Sequence, residues 1–164
     1  MKQLVLISIL AITAFASQAQ NKCSIYKATA YFTVSMPGTQ FVDENGNRIP
    51  PVPNVQRIIY LECTGKKEPV IQSIAYDNTL YHAQVSDSTV NTVAVGKRFQ
   101  DEKAVVLKPR KGNRLWKLEL QPVIDKPQSP DACKNITIKL RVNNTVCSFH
   151  ITGSEMQLYT LPAY

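Results

Sequence analysis

The stretch "VVLKPRKGNRLWKLEL", residues 105–120, predicts the fold of the chain. Apolar and polar residues alternate in its second half, which is typical of a β-strand with one buried face. Alternation places the chain's single tryptophan, Trp116, on the same face as Leu118 and Leu120, so we expect all three in the core. Gly112, between the two apolar runs, indicates a turn. The stretch therefore predicts a β-hairpin whose second strand packs on a hydrophobic core.

The same alternation recurs along the chain, and almost no segment has a helical period. Short strands without long helical connections favour an all-β fold with antiparallel pairing. We expect a single-domain antiparallel β-sandwich, immunoglobulin-like or similar, with about 8–9 strands. The predicted strands are residues 24–34, 56–63, 70–76, 79–85, 89–95, 104–108, 115–123, 136–142 and 145–152, with a short final one within 156–161.

The first residues predict export. Residues 4–16 are apolar and uncharged, and small residues follow up to Ala19, as in a secretory signal peptide. The apolar run is too short to cross a bilayer, which takes about 20 residues. We therefore expect a signal peptide over residues 1–19 and one domain over residues 20–164. The protein is expected to be soluble, periplasmic or extracellular, and without a membrane span.

The cysteines predict disulfides rather than a metal site. An even number of cysteines in an exported chain favours two disulfide bonds. If strands 24–34 and 56–63 are antiparallel neighbours, the start of the first meets the end of the second, which favours a Cys23–Cys63 bond. The second pair stays open. The four candidates are Cys23, Cys63, Cys133 and Cys147.

Sequence signatures of catalysis or of cofactor binding are missing. His82 and His150 stand outside any hydrolase motif or ligand-like cluster, so we expect neither a catalytic site nor a metal nor another cofactor. "DENGN", residues 43–47, imitates the start of a calcium loop. Arg48 and Asn54 stand where that loop needs glycine and glutamate, so we interpret the stretch as an Asn-Gly turn.

The net charge of +7 is concentrated in one segment. Residues 97–117 hold eight basic and two acidic residues, and a local field of this kind attracts acidic partners. The alternative is that charges at a hairpin tip only keep the sheet soluble and unpaired. Nucleic acid is not expected, because exposed aromatic side chains for base stacking are missing from the segment. The candidate binding residues are Lys97, Arg98, Lys108, Arg110, Lys111, Arg114 and Lys117.

We therefore predict a non-catalytic exported protein that binds an envelope or extracellular partner, either a protein or an acidic glycan. The Pro-rich segment of residues 36–55 is either a second recognition surface or a long crossover between sheets. One alternative function is a small secreted hydrolase or enzyme inhibitor with dispersed site residues. Another is a structural or adhesive subunit that uses residues 155–161 as an edge for strand addition.

Overall fold

The computed structural model describes residues 24–38, 41–124, 127–142 and 145–159, so the predicted signal peptide and Cys23 lie outside the described residues. Within these ranges the chain forms strands and no helix, and thus no helix that could cross a membrane. The strands are β1 Ile25–Ser35, β2 Phe41–Val42, β3 Arg48–Ile49, β4 Asn54–Thr64, β5 Val70–Tyr76, β6 Thr79–Asp87, β7 Val93–Lys97, β8 Ala104–Leu107, β9 Asn113–Pro122, β10 Ile136–Val142, β11 Thr145–Ile151 and β12 Met156–Leu158.

Eight of these strands form one sheet, in the order β11-β10-β5-β6-β9-β4-β1-β12. All neighbours are antiparallel except β1 and β12, which run parallel, so the sheet is mixed. The accumulated twist of the strands curls the sheet into a half-barrel, which brings β1 close to β11. The prediction of an all-β fold is confirmed, whereas a two-sheet sandwich is not.

The inner face of the curled sheet holds the main core. Trp116, Leu118 and Leu120 of β9 all lie in this core, as alternation predicts. Trp116 lies opposite Leu61 of β4, and Leu118 lies opposite Ile59, so apolar side chains meet across the strands. The predicted face of this strand is therefore confirmed.

The outer face of the sheet is partly covered by the hairpin of β7 and β8. A second core of buried residues lies between them: Tyr31, Tyr60, Leu115 and Leu158. β12 is one outermost strand of this sheet and β11 is the other, so an edge does lie within residues 155–161. The β7–β8 hairpin contacts the edge at β12, because Arg98 bridges Leu158 and the Phe99 N–H donates to the Gln157 carbonyl at 3.0 Å. The use of this edge for strand addition stays a prediction.

The Pro-rich segment of residues 36–55 contains the short hairpin of β2 and β3. Its turn is the predicted Asn-Gly turn. The Asp43 carboxylate accepts the N–H groups of Asn45 and Asn47 at 2.9 and 2.8 Å, and Gly46 takes a φ of 80°. The Asn47 side-chain amide also donates to this carboxylate. This bond first, and the two backbone bonds after it, lower the pKa of Asp43. The carboxylate is therefore engaged within its own turn.

The predicted Cys23–Cys63 disulfide is wrong, although the strand pairing behind it is correct. Ile25 lies opposite Cys63, so the start of β1 does meet the end of β4. Cys63 is nevertheless a free thiol, as is Cys133, and both are buried. The Cys63 side chain packs in the inner core, where burial raises its pKa to about 11. Cys147 of β11 is partly buried against the same core.

Candidate functional site

Basic side chains gather at the end of the sheet where β1 and β9 begin and β4 ends, which we call the basic end. Register places these strand ends together, since Cys63 lies opposite both Ile25 and Arg114. The acidic residues there are Glu62, Glu68 and Asp87, so positive charges exceed negative ones by five. The basic residues of this end are Lys27, Lys66, Lys67, Lys108, Arg110, Lys111, Arg114 and Arg141.

A buried carboxylate holds the loop that carries three of these residues. Glu62 lies near the end of β4, and its Oε1 accepts the backbone N–H of Arg110 at 2.9 Å and the side-chain amide of Asn113 at 2.6 Å. Gly112 completes the turn with a φ of 90°, which favours glycine. The loop from Lys108 to Lys111 is therefore fixed to the sheet, while its basic side chains stay exposed.

An aromatic ring lies beside this loop. The guanidinium carbon of Arg110 is 3.9 Å from the centroid of the Tyr26 ring, and Tyr26 is 42% exposed. A register shift between Ile25 and Lys27 places Tyr26 at an irregularity of β1. Tyr26 could not be predicted from a local charge run, because it is more than 80 positions away from Arg110. An exposed ring therefore does accompany the basic residues.

A groove of about 260 Å³ separates the β8–β9 connection from the sheet, and we call it the basic groove. Lys27 of β1 and Lys108 both line it, so the groove has a basic residue on each side. Leu107 and Leu115 contribute apolar surface to the groove, and Glu62 also forms part of the groove wall. The groove thus combines an apolar lining with two cationic side chains.

The seven predicted binding residues do not form one surface. Lys108, Arg110, Lys111 and Arg114 lie at the basic end, where Arg114 forms an ion pair with Asp87. Their neighbours Lys27, Lys66, Lys67 and Arg141 come from distant sequence positions, which is why a search for a local charge run missed them.

The remaining three predicted residues lie elsewhere. Lys97 and Arg98 lie beside β12, and Arg98 pairs with Asp101 at 2.8 Å. The length of β7 separates them from the basic end by about 13 Å at the usual strand rise. Lys117 lies on the sheet itself and pairs with Glu119. The predicted patch is therefore divided into a part with mostly unpaired side chains, at the basic end, and a part with mostly paired side chains.

The opposite end of the half-barrel contains a buried ion pair that the sequence analysis missed. Arg57 of β4 and Glu155 are 4% and 3% exposed, and a guanidinium nitrogen of Arg57 contacts Glu155 Oε2. Arg57 also donates to the backbone carbonyls of Ser129 and Asp131 at 2.8 and 3.3 Å. A signal existed in the sequence, since alternation puts Arg57 on the inward face with Ile59.

Both histidines are exposed on the sheet. His150 Nδ1 is 2.9 Å from the hydroxyl of Thr137, and neither histidine lines the basic groove. No family model matches the chain, and the searches of curated proteins and of solved structures found no match either.

Proposed function

We propose that the protein is an exported, non-catalytic binding protein that holds an anionic glycan at the basic end. One observation carries the proposal. In seven of the eight basic residues there, all except Arg114, the charged side-chain group has no carboxylate oxygen within 4.0 Å among the residues that the structure describes. Their charge is thus available to a partner.

The attraction at the basic end depends on the number of these charges. A single exposed ion pair contributes only about 0–1 kcal/mol, because water and salt screen it. Several unpaired cations on one surface add their fields, which concentrates acidic partners and speeds their association. Binding at this end should therefore depend strongly on the ionic strength.

The shape of the basic groove favours a glycan over a folded acidic protein. A typical protein interface buries about 800 Å² on each partner around an apolar centre. The basic groove is small, about 260 Å³, and its lysines stand beside apolar side chains such as Leu107 and Leu115. A sulfated or carboxylated sugar chain has both features in matching form, since its rings have apolar faces and its substituents are anionic. The exposed ring of Tyr26 adds a further surface on which a sugar ring can pack.

The test is retention of residues 20–164 on immobilised heparin against a sodium chloride gradient, beside a neutral sugar resin and immobilised polyglutamate. We expect elution from heparin well above physiological salt and no retention on the neutral resin. The variant Lys108→Ser/Arg110→Ser/Lys111→Ser should elute at clearly lower salt. Its stability should change little, because exposed charges contribute little to folding.

The matched control is Lys97→Ser/Arg98→Ser/Lys103→Ser, which also removes three positive charges but acts beside β12. It should elute close to the wild-type protein. An equal loss in both variants would mean that net charge alone causes the retention. Retention on polyglutamate without retention on heparin would favour an acidic protein partner instead.

A further inference from the structure

A second groove lies at the basic end, beside the loop of residues 65–69 that joins β4 to β5. We call it the loop groove, and its volume is about 480 Å³. Volumes of about 300–1,000 Å³ are typical of small-molecule sites. The loop forms one side of the groove. The rest of the described lining consists of Ser24 before β1, Cys63 and Thr64 of β4, Val70 of β5 and Arg141 of β10.

Three cations line the described part of the loop groove. Lys66 and Lys67 lie in the loop, Arg141 lies near the end of β10, and all three residues are exposed. Among the described residues, no carboxylate oxygen lies within 4.0 Å of their charged groups. Glu68 is the one acidic residue of the described lining, so positive charges exceed negative ones by two. The cationic groups can therefore be reached by an anion from solvent.

The loop groove also contains apolar surface. Val70 is 60% exposed at the start of β5, and Pro69 lies beside it in the lining. The basic groove combines the same two features, because its leucines stand beside its lysines. Both grooves therefore fit one chemical class of ligand, a sugar chain with anionic substituents and apolar ring faces.

The two grooves adjoin at the start of β1 and the end of β4. Lys27 and Glu62 line the basic groove, whereas Ser24 and Thr64 line the loop groove. The Thr64 N–H donates to the Ser24 carbonyl at 2.6 Å, which holds the two strand ends together. Ser24 and Lys27 are separated by no more than about 10 Å at the usual strand rise. One extended ligand can therefore reach both grooves.

Tyr26 lies in the chain between a residue of the loop groove and a residue of the basic groove. Its exposed ring contacts the Arg110 guanidinium. Because its neighbours Ser24 and Lys27 line different grooves, Tyr26 stands next to both. A chain that passes from one groove to the other thus meets an aromatic ring and a cation on the way.

We propose that the anionic glycan occupies both grooves at once, so that the protein selects long chains over short ones. This inference rests on the proposed function and adds the loop groove as a second subsite. Anionic groups at one part of the chain bind Lys27 and Lys108, and those at another part bind Lys66, Lys67 and Arg141. Once one groove is filled, binding in the other is intramolecular, which raises the affinity by about a hundredfold or more.

The experiment is a titration of the ¹⁵N-labelled protein, residues 20–164, with a heparin disaccharide and with a heparin octasaccharide. The octasaccharide should shift the amide signals of Gly65 and Val70 as well as those of Lys27 and Leu107. It should bind about a hundredfold more tightly than the disaccharide, which is more than the larger number of disaccharide units alone supplies.

The outcomes separate this inference from the proposed function. Octasaccharide shifts at Lys27 and Leu107 without shifts at Gly65 and Val70 would overturn the inference and leave the proposed function standing. A gain in affinity no larger than the number of disaccharide units supplies would do the same. Absence of saturable shifts with either probe would overturn both.

A variant tests the subsite directly. Lys66→Ser/Lys67→Ser/Arg141→Ser should weaken octasaccharide binding about tenfold or more and keep the disaccharide shift of Leu107. The matched control Lys97→Ser/Arg98→Ser/Lys103→Ser also removes three positive charges and should keep most of the octasaccharide affinity. Both variants should stay folded, because exposed charges contribute little to stability. An equal loss in both variants would mean that net charge causes the preference for long chains, which would overturn the inference.

Discussion

The two ends of the half-barrel hold charge in opposite ways. At the basic end, Lys108 and Lys111 are exposed, and among the described residues no carboxylate lies within 4.0 Å of their ammonium groups. At the other end, Arg57 is buried between the rings of Phe32 and Tyr76, at 5.5 and 5.1 Å, and contacts Glu155. Exposed charge has little influence on folding and is available to a partner, whereas a buried charge is costly to leave without its partner, so removing one member of a buried pair lowers stability.

The largest effect is expected from Glu155→Ala. This change leaves the Arg57 guanidinium buried without its carboxylate, so the free energy of unfolding should fall by about 3–5 kcal/mol. Urea unfolding of the wild type and the variant measures the difference.

Glu119→Ala is the control for this change, because Glu119 pairs with Lys117 at an exposed position of the sheet. It should cost no more than about 1 kcal/mol. The double variant Arg57→Met/Glu155→Leu should be less destabilised than Glu155→Ala, since it leaves no charge unpaired. Similar losses in Glu155→Ala and Glu119→Ala would contradict the contrast between the two ends.

Glu62 separates the effect of burial from the effect of position, because it is a buried carboxylate at the basic end. Glu62→Ala removes the acceptor of the Arg110 N–H and the Asn113 amide, both of which water can partly reach. The free energy of unfolding should fall by about 1–2 kcal/mol, less than for Glu155→Ala. Thermal or urea unfolding measures this.

Glu68→Ala is the matched control, because it removes the same charge from an exposed site of the same end. Its stability should stay within about 0.5 kcal/mol of the wild type. If Glu68→Ala matched Glu62→Ala, the cost would come from the lost charge rather than from the lost hydrogen bonds of the loop.

The sequence predicted what depends on local pattern. Alternation predicted the inner face of β9 with Trp116, and the Asn-Gly signal predicted the turn after Asp43. Alternation also predicted a strand over 89–95, but β7 begins only at Val93. The residues before it form a turn, because the Asp87 carboxylate accepts the Thr89 N–H at 2.8 Å. That bond follows from side-chain geometry, which residue type alone does not determine.

Long-range arrangement was the part that the sequence did not predict. Lys27 and Lys108 share a groove only because β1, β4 and β9 are neighbours, and the order of strands is not encoded in any local period. The same holds for Arg57 and Glu155, which are 98 residues apart. Alternation indicates that Arg57 points inwards, but it does not indicate which carboxylate meets it.

The smallest predicted effect concerns Asp77, an exposed carboxylate in the turn between β5 and β6, at the same end of the half-barrel as Arg57. Its Oδ1 accepts the Asn135 amide at 2.9 Å and its Oδ2 accepts the Cys133 thiol at 3.2 Å. These bonds lower the pKa of Asp77 below its ordinary value of 3.8, and the bond from Asn135 has the larger effect. A lowered pKa in the folded state contributes stability above pH 3.8, and this contribution is lost as the pH falls through the folded value.

Asp77→Asn removes this charge and keeps a residue type that tolerates the φ of 49° at this turn. The variant should be slightly less stable than the wild type at pH 7, and the difference should shrink as the pH is lowered through 3.8 towards 2. Urea unfolding at a series of pH values measures it, and Asn135→Ala should reduce the same acid dependence because it removes the main donor. A stability difference that grew on acidification would mean that the Asp77 carboxylate opposes folding. The two ends would then differ less in how they hold charge than their geometry indicates.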